Sequence, residues 1–440
     1  MKPFNILPGL TLKGRIILPG DKSIAHRALI LGAISSGVTT LDNFPENNDL
    51  AATLDTFLRL GVKIKKGKKG KVIIFGKGLN GLQKPQGSLF VAESGTTFRL
   101  LLGLLAAQEF GVKLTAGKSL SKRPMLRVIQ PLRKMGAFIK SRRSGVDEYP
   151  PVFIKGGNLK GITYKIPVAS AQVKSAIILA GLYAQGQTKV IEIVQTRDHT
   201  ERMLKVFKAK IKHEGNAIVI EKRRALISPG GIYIPGDLSS AAFFMVAVII
   251  LSGSEILLKD ISLNPSRLGV VRVLKRMGAH INIVGRHVGM NLSGFEPLGD
   301  IAVRSSELKA TRVRRREVPS LIDELPILMV ASCFARGETV LEGVKELRVK
   351  EADRVSSMLE NLRRMGADIR VARSNRTENI IIKGVGKLKG ASLRSFGDHR
   401  TAMSAIIAGL AASGKSRIDD VSCINKSFPG FVNLLMSLQG

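Results

Sequence analysis

One segment type recurs six times along the 440-residue chain, and that recurrence limits the possible folds more than any other feature. It is an apolar, alanine-rich stretch ending in a glycine and followed by a short β-prone run. The glycines are Gly37, Gly111, Gly186, Gly253, Gly337 and Gly414, at spacings of 74, 75, 67, 84 and 77 residues. The stretches read ALILGAISSG, LGLLAAQEFG, IILAGLYAQG, MVAVIILSG, LMVASCFARG and AIIAGLAASG. Each suits a buried helix of about three turns closed by its terminal glycine, and runs such as Val38–Leu41 and Glu338–Leu341 continue as strands. A second helix follows in each unit: FLRLGVKI, LRKMGAFI, FKAKI, LKRMGAHI and LRRMGADI, with FVNLLMSLQG ending the chain. A period near 75 residues is too long for the common solenoids. It predicts six α/β units of strand, helix, strand, helix and extra strand, grouped three and three.

Composition excludes other classes. The longest apolar run, Ala241 to Leu251, has eleven residues, whereas a membrane helix needs about 20. Lys13 and Arg15 break up the only apolar stretch at the N-terminus, so no secretory core is expected. Cys333 and Cys423 stand alone without CxxC spacing, which fits a reducing cytoplasm. Sixty-nine Lys and Arg against 34 Asp and Glu give a net charge of +35, which favours anionic partners. The densest runs, Lys63–Lys71 and Arg312–Arg316, contain no aromatic residue. A nucleic-acid platform interleaves rings for base stacking, so both runs are expected to be solvated loops.

Fourteen residues before each glycine, where the first helix of a unit should begin, stand Ser23, Thr97, Gln172, Ser239, Asp323 and Arg400. All are polar although the helices are mostly apolar. Capping accounts for Ser, Thr and Asp. It does not account for Lys22, Arg27 or Arg400, because a cation near a helix N-terminus opposes the helix dipole. A bound anion reverses that cost, so several helix N-termini are expected to converge on an anionic ligand.

LPGDKSIAHR, SAQVKSAIILAGL, TRDHTERM, IDELPI, LRVKEADR, GDHRTAM and NKSFPGF occur in that order between residues 18 and 431. With these motifs the chain resembles the 5-enolpyruvylshikimate-3-phosphate synthases (3-phosphoshikimate 1-carboxyvinyltransferases), enolpyruvyl transferases of the shikimate pathway. The resemblance implies an α/β protein of two similar domains. Each has three βαβαββ units in an inside-out α/β barrel, and the active site lies in the cleft between them. One domain is discontinuous, residues 1–20 plus 236–440, and the other spans 21–235, with crossovers expected at Pro19–Gly20 and Pro235–Gly236. The implied reaction transfers the enolpyruvyl group of phosphoenolpyruvate to the 5-hydroxyl of shikimate 3-phosphate. It proceeds by addition and elimination and releases phosphate. The expected partners are those two small molecules alone, with no metal, cofactor, nucleic acid or membrane, and the chain is taken to be a cytoplasmic monomer.

By the same resemblance Lys22, Ser23 and Arg27 bind shikimate 3-phosphate, Lys22 also reaching phosphoenolpyruvate. Ser170, Ala171 and Gln172 form a phosphate- and shikimate-binding turn, in which Ala171 replaces a serine of many members. Arg197 is a further contact, against the alternative of an ion pair with Asp198 or Glu201. Gly95, Arg123, Gln172, Arg354, Arg400 and Lys426 are implied phosphoenolpyruvate contacts, and Lys350 a shikimate 3-phosphate contact. Lys350 and Arg354 are expected on one helical face beside Glu351. The catalytic groups implied are Asp323, which binds the shikimate hydroxyls and accepts the 5-hydroxyl proton, Glu351, which shuttles a proton at the methylene carbon, and Lys22. Arginine suits such doubly anionic ligands through planar bidentate pairing. One position departs from the family: Glu93 stands where an asparagine is usual, so its charge turns away, pairs with a cation, or is protonated.

Four other readings compete with this one. Gly409–Ser416 (GLAASGKS) fits the P-loop pattern but should close a helix rather than open one. His26, His199 and His399 lack metal-ligand spacing, so packing or hydrogen bonding is their expected role. The sister transferase acting on UDP-N-acetylglucosamine usually carries a loop cysteine in its first half, whereas both cysteines here follow residue 330. A non-catalytic RNA-binding protein would show steep salt dependence and no role for Asp323 or Glu351.

Overall fold

A helix that is apolar all round has no face to offer water and must be buried, whereas an amphipathic one lies at the edge of a core. Both kinds alternate in the computed structural model of the chain, in which residues 3–288, 296–373 and 377–439 are described, without the side chains of 286–288. Twelve α-helices form among the described residues: α1 (Lys22–Ala33), α2 (Asn48–Arg59), α3 (Gly95–Leu105), α4 (Leu126–Lys134), α5 (Ala171–Gly181), α6 (His199–Val206), α7 (Leu238–Ile250), α8 (Gly269–Arg276), α9 (Leu325–Cys333), α10 (Arg354–Arg364), α11 (His399–Leu410) and α12 (Phe431–Met436). The odd-numbered helices are the six apolar stretches; α7, for example, buries every residue from Leu238 to Ile249. The even-numbered helices bury one side, as α10 does with Val355, Met358, Leu359 and Leu362.

The strands confirm the α/β class and the repeating unit. In the second unit the strand order is Leu89–Phe90, Gly111–Thr115, Asp147–Lys155, Phe138–Ser144. The first pair is parallel, as a helical crossover requires, and the remaining pairs are antiparallel. Four further sheets repeat this order. Two of them borrow their first strand from a distant part of the chain. Lys13–Ile17 pairs in parallel with Glu255–Ser262, and Gly231–Tyr233 with Val38–Asp42. The sixth unit is built differently. Its antiparallel partner is the N-terminal strand Phe4–Ile6, against Ser416–Ile418.

The chain forms two units, one of residues 1–19, 235–288 and 297–440, the other of 20–234 and 289–296. Each has its own hydrophobic core. Gly20 lies at one crossing, and a Cβ there would stand 2.3 Å from the Asn43 carbonyl oxygen, so no larger residue fits.

The glycines do different work from that expected. The first helices stop before them: α1 ends at Ala33 and α5 at Gly181, so Gly37 and Gly186 sit in the turns feeding the next strands. Their φ values, +98° and +77°, are left-handed. Gly111 has no such conformation; it opens its strand, and a Cβ there would meet the Phe153 ring at 2.8 Å. The true glycine caps close the second helices. Gly61 N–H donates to Leu58 O and Val62 N–H to Phe57 O, both at 3.0 Å, the Schellman pattern. Gly136, Gly278 and Gly366 repeat it. In the third unit Lys208 takes that place with φ +63°.

The basic runs are not the free loops expected. Lys63–Lys66 is a strand paired with Val72–Phe75, and the Lys63 and Lys65 ammonium groups lie 5.1 and 5.8 Å from the Phe75 ring centre. Arg312 begins a strand and pairs with Glu342 at 2.6 Å. GLAASGKS does end a helix, α11, and lead into the strand Ser416–Ile418.

Candidate active site

In the unit of residues 20–234, the N-termini of α1, α3 and α5 are tied together. The side chains that cap them are Asp21, Ser94 and Ser170, accepting from the N–H groups of Ile24, Thr97 and Val173. The residues fourteen before this unit's glycines are therefore not the caps; Ser23, Thr97 and Gln172 sit one to two places inside their helices. A hydroxyl chain joins the elements: His26 Nδ1 to Thr53 Oγ1 at 2.8 Å, Thr53 to Thr97 at 2.6 Å, and Thr97 to Ser94 at 2.6 Å. Burial, then the charges of Lys22 and Arg27, hold the His26 pKa well below 6.5, so it is neutral at pH 7.

Arg27 links α1 to α5 and α6. Its Nε donates to Thr200 Oγ1 at 2.7 Å, one Nη to Ser23 O at 2.9 Å and the other to Ser175 Oγ at 2.9 Å. Burial lowers its pKa to about 10, Glu201 pulls it back up and Arg197 pushes it down; the group remains cationic at pH 7. Lys22 Nζ lies 3.0 Å from Asp49 Oδ2. Gln172 accepts from Arg99 at 2.8 Å and donates to Thr96 Oγ1 at 3.0 Å. Of the two acids named beside Arg197, Asp198 pairs with Arg202 at 2.7 Å and Glu201 with the buried Lys174 at 2.7 Å.

Gly95 is the first residue of α3. A Cβ there would lie 2.8 Å from an Arg123 Nη and 2.9 Å from an Arg99 Nη, so the glycine lets two guanidinium groups reach the helix N-terminus. Arg123, before Pro124, is extended with φ −93° and ψ 136°. Glu93 turns to the backbone: its oxygens accept from Ser119 N–H at 3.2 Å and Leu120 N–H at 2.7 Å.

In the other unit α7, α9 and α11 are joined at their N-termini in the same way. Glu324, at the start of α9, accepts from Ser239 and pairs with the buried Arg267 at 3.4 Å. Asp398 caps α11 through Arg400 N–H at 2.8 Å and Thr401 N–H at 3.2 Å. Asp323 lies just before the α9 cap, and its carbonyl accepts from Arg400 Nη1 at 3.0 Å. Lys426 Nζ donates to Gly397 O at 2.9 Å.

Arg354 is the hub of this unit. It is buried, and its Nε, Nη1 and Nη2 face Asp398 at 2.8 Å, Asp323 at 3.4 Å and Glu351. Burial alone would lower its pKa; Asp398, Glu351 and Asp323 together outweigh that and raise it. Lys350 Nζ is 3.8 Å from Asp323 Oδ1. The expected helical face is wrong, however. Lys350 is extended, Asp353 caps α10, and Arg354 is its first residue. Lys350 and Arg354 meet through Asp323, not through helical spacing.

Thus the structure groups Lys22, Ser23, Arg27, Gly95, Arg123, Ser170, Ala171 and Gln172 around three helix N-termini of one unit, with Arg197, just ahead of α6, acting electrostatically on Arg27. It groups Asp323, Lys350, Glu351, Arg354, Arg400 and Lys426 around three of the other. Sequence reasoning missed Asp49, Arg99, Lys174, Arg267 and Asp398. Asp398 was visible inside GDHR, where the arginine drew attention from the acid. The long-range partners gave no local signal. Of the histidines, His199 Nδ1 bonds Glu296 at 2.5 Å, in keeping with a hydrogen-bonding role.

Comparison with known proteins supplies an independent view. The family described as EPSP synthase (3-phosphoshikimate 1-carboxyvinyltransferase) matches residues 7–435. A 3-phosphoshikimate 1-carboxyvinyltransferase of Desulforamulus reducens is 45% identical over 430 residues, covering 98% of each chain. The structure of EPSP synthase from Acinetobacter baumannii is 43% identical with a TM-score of 0.86, covering 100% of this chain and 98% of that one. The enolpyruvyl transferase NikO of Streptomyces tendae, 16% identical, shares the fold with a TM-score of 0.78 over 99% of this chain and 97% of that one.

Proposed function

The chain belongs to the EPSP synthase (3-phosphoshikimate 1-carboxyvinyltransferase) family, and from that premise we propose which of its side chains carry the reaction. It transfers the enolpyruvyl group of phosphoenolpyruvate to shikimate 3-phosphate, a step of aromatic amino acid biosynthesis. In our reading Ser23, Arg27, Ser170, Ala171, Gln172 and Arg197, with Lys22, hold shikimate 3-phosphate at the N-termini of α1 and α5. Gly95 and Arg123 take the phosphoenolpyruvate anion at α3. Arg354, Arg400, Lys426 and Lys350 form the cationic set of the other unit. Exposed N–H groups, helix dipoles and guanidinium forks all favour dianions there.

Asp323 is the group we assign to the shikimate hydroxyls and to accepting the 5-hydroxyl proton; Glu351 delivers a proton to the methylene carbon. Addition of the 5-hydroxyl oxygen to C2 of phosphoenolpyruvate, as its methylene carbon gains a proton and becomes a methyl group, gives a tetrahedral ketal. Elimination expels phosphate and returns the methylene proton. The observation that carries this reading is Arg354, whose guanidinium is shared by Asp323 and Glu351. An anionic substrate competes with Glu351 for that guanidinium. Its arrival therefore frees the acid beside the carbon to be protonated. We place the enzyme in the cytoplasm as a monomer that needs only its two small substrates.

Steady-state kinetics with each substrate varied test the assignment. Arg27→Lys should raise KM for shikimate 3-phosphate at least tenfold, and Arg123→Lys that for phosphoenolpyruvate. A reversed pattern, or none, would remove these roles.

A further inference from the structure

Glu93 is an acid two residues before the anion-facing Gly95, and the proposed chemistry gives it no task. Its surroundings do. Ala92 holds a left-handed φ of +49°, and its carbonyl accepts from Gly117 N–H at 2.7 Å. A Cβ on Gly117 would stand 2.4 Å from Glu93 Oε1, so the glycine leaves room for the carboxylate in its present place. The two carboxylate oxygens take the Ser119 and Leu120 N–H groups at 3.2 and 2.7 Å. Those donors open the short helical turn Leu120–Lys122. That turn ends at Arg123, whose N–H donates to Leu120 O at 3.0 Å. Arg123 then lays its guanidinium against Gly95. The path from Glu93 to Arg123 is continuous: acid, two amides, one turn, guanidinium.

We propose that Glu93 is a positioning residue for the phosphoenolpyruvate side of the site, fastening the 117–123 loop so that Arg123 is already aimed at the N-terminus of α3. The inference rests on the reading of Arg123 as a phosphoenolpyruvate contact. A carboxylate suits the task because each of its oxygens accepts one N–H. A carboxamide offers one oxygen, and its NH₂ would face the second amide donor to donor. The negative charge is spent on the backbone, so it need not repel the substrate.

The test is a kinetic double-variant cycle on the full-length enzyme, with Glu93→Gln and Glu93→Ala, each alone and combined with Arg123→Ala. Circular dichroism melting runs alongside as the control for folding. Losing the two amide acceptors should raise KM for phosphoenolpyruvate about tenfold for Glu93→Ala, with less effect for Glu93→Gln. KM for shikimate 3-phosphate should stay within about twofold. Glu93→Asp, one methylene shorter, should recover more affinity than Glu93→Ala. In the Arg123→Ala background the Glu93 changes should add nothing, because the group they aim is gone. Multiplying effects, equal rises in both KM values, or an unchanged phosphoenolpyruvate KM would each overturn the proposal. Should Arg123→Ala alone leave that KM unchanged, the assignment of Arg123 fails instead, and the cycle separates the two failures.

Discussion

Replacing Arg354 by methionine removes the cation that three carboxylates share and leaves the acids where they are. At 2.8 and 3.4 Å, Asp398 and Asp323 each attract the guanidinium by about 5–6 kcal/mol at an effective dielectric of about 20. Desolvation of the buried arginine cancels much of that. The cost of breaking such a group from one side is instead the burial of uncompensated charge, about 3–5 kcal/mol. For a unit of about 150–250 residues each kcal/mol moves Tm by about 2–4 °C, so Arg354→Met should melt about 6–20 °C lower. Asp398 is fully buried and should account for most of the loss, so adding Asp398→Asn should recover at least a third of it. The raised pKa of Arg354 also sets a pH rule. Its stabilisation is complete below the pKa of an arginine in the unfolded chain and disappears only as pH rises through the still higher folded one. The difference between wild type and variant should therefore not shrink from this group's titration between about pH 6 and pH 9. Calorimetry or chemical denaturation reads both numbers. A variant within about 1 kcal/mol of wild type, or a double variant worse than Arg354→Met, would refute the hub.

Three further expectations follow from local geometry. Lys208 occupies a left-handed cap at φ +63°, so stability should rank Gly above Lys above Val at this position, spanning about 1–2 kcal/mol by denaturant titration, and a Val variant as stable as Gly would contradict it. Glu148 bonds Arg133 at 2.5 and 2.8 Å; that pairing, against burial, holds its pKa below 4.5. Its contribution is present above pH 4.5 and lost as pH falls through the lowered value, so Glu148→Gln should flatten the acid limb of the stability curve, and an unchanged limb would count against it. Burial pushes the Cys333 thiol up to about 12 and Cys423 to about 11, so a disulfide reagent should titrate both thiols in urea but react with neither within minutes in the native state; rapid native labelling would show the burial wrong.

The repeat was legible because it is written in period and composition. A run such as MVAVIILSG admits nothing but burial, and α7 is buried throughout. Cap geometry was less legible. Glycine after an apolar run fits both a helix cap and a turn into a strand, and three or four residues separate the two outcomes in α1 and α5. Gly111 shows a third use, set by a ring more than forty positions away. The motif residues do gather within each unit, yet their partners are non-local. Nothing near Arg354 announces Asp398, and nothing near Gln172 announces Arg99, because α3 and α5 meet only in three dimensions. Lys350 and Arg354 show the converse error. Four-residue spacing suggested one helical face, but Asp353 starts the helix after Lys350, and Asp323 brings the two cations together.

The account stands most directly on acids beside Arg354 moving protons during enolpyruvyl transfer. The measurement is phosphate release on mixing phosphoenolpyruvate with shikimate 3-phosphate at saturation, for wild type, Asp323→Ala and Glu351→Gln. The account predicts release with wild type and a kcat lower by about 10²–10⁴ in each folded variant. Turnover near the wild-type rate in both variants would contradict it.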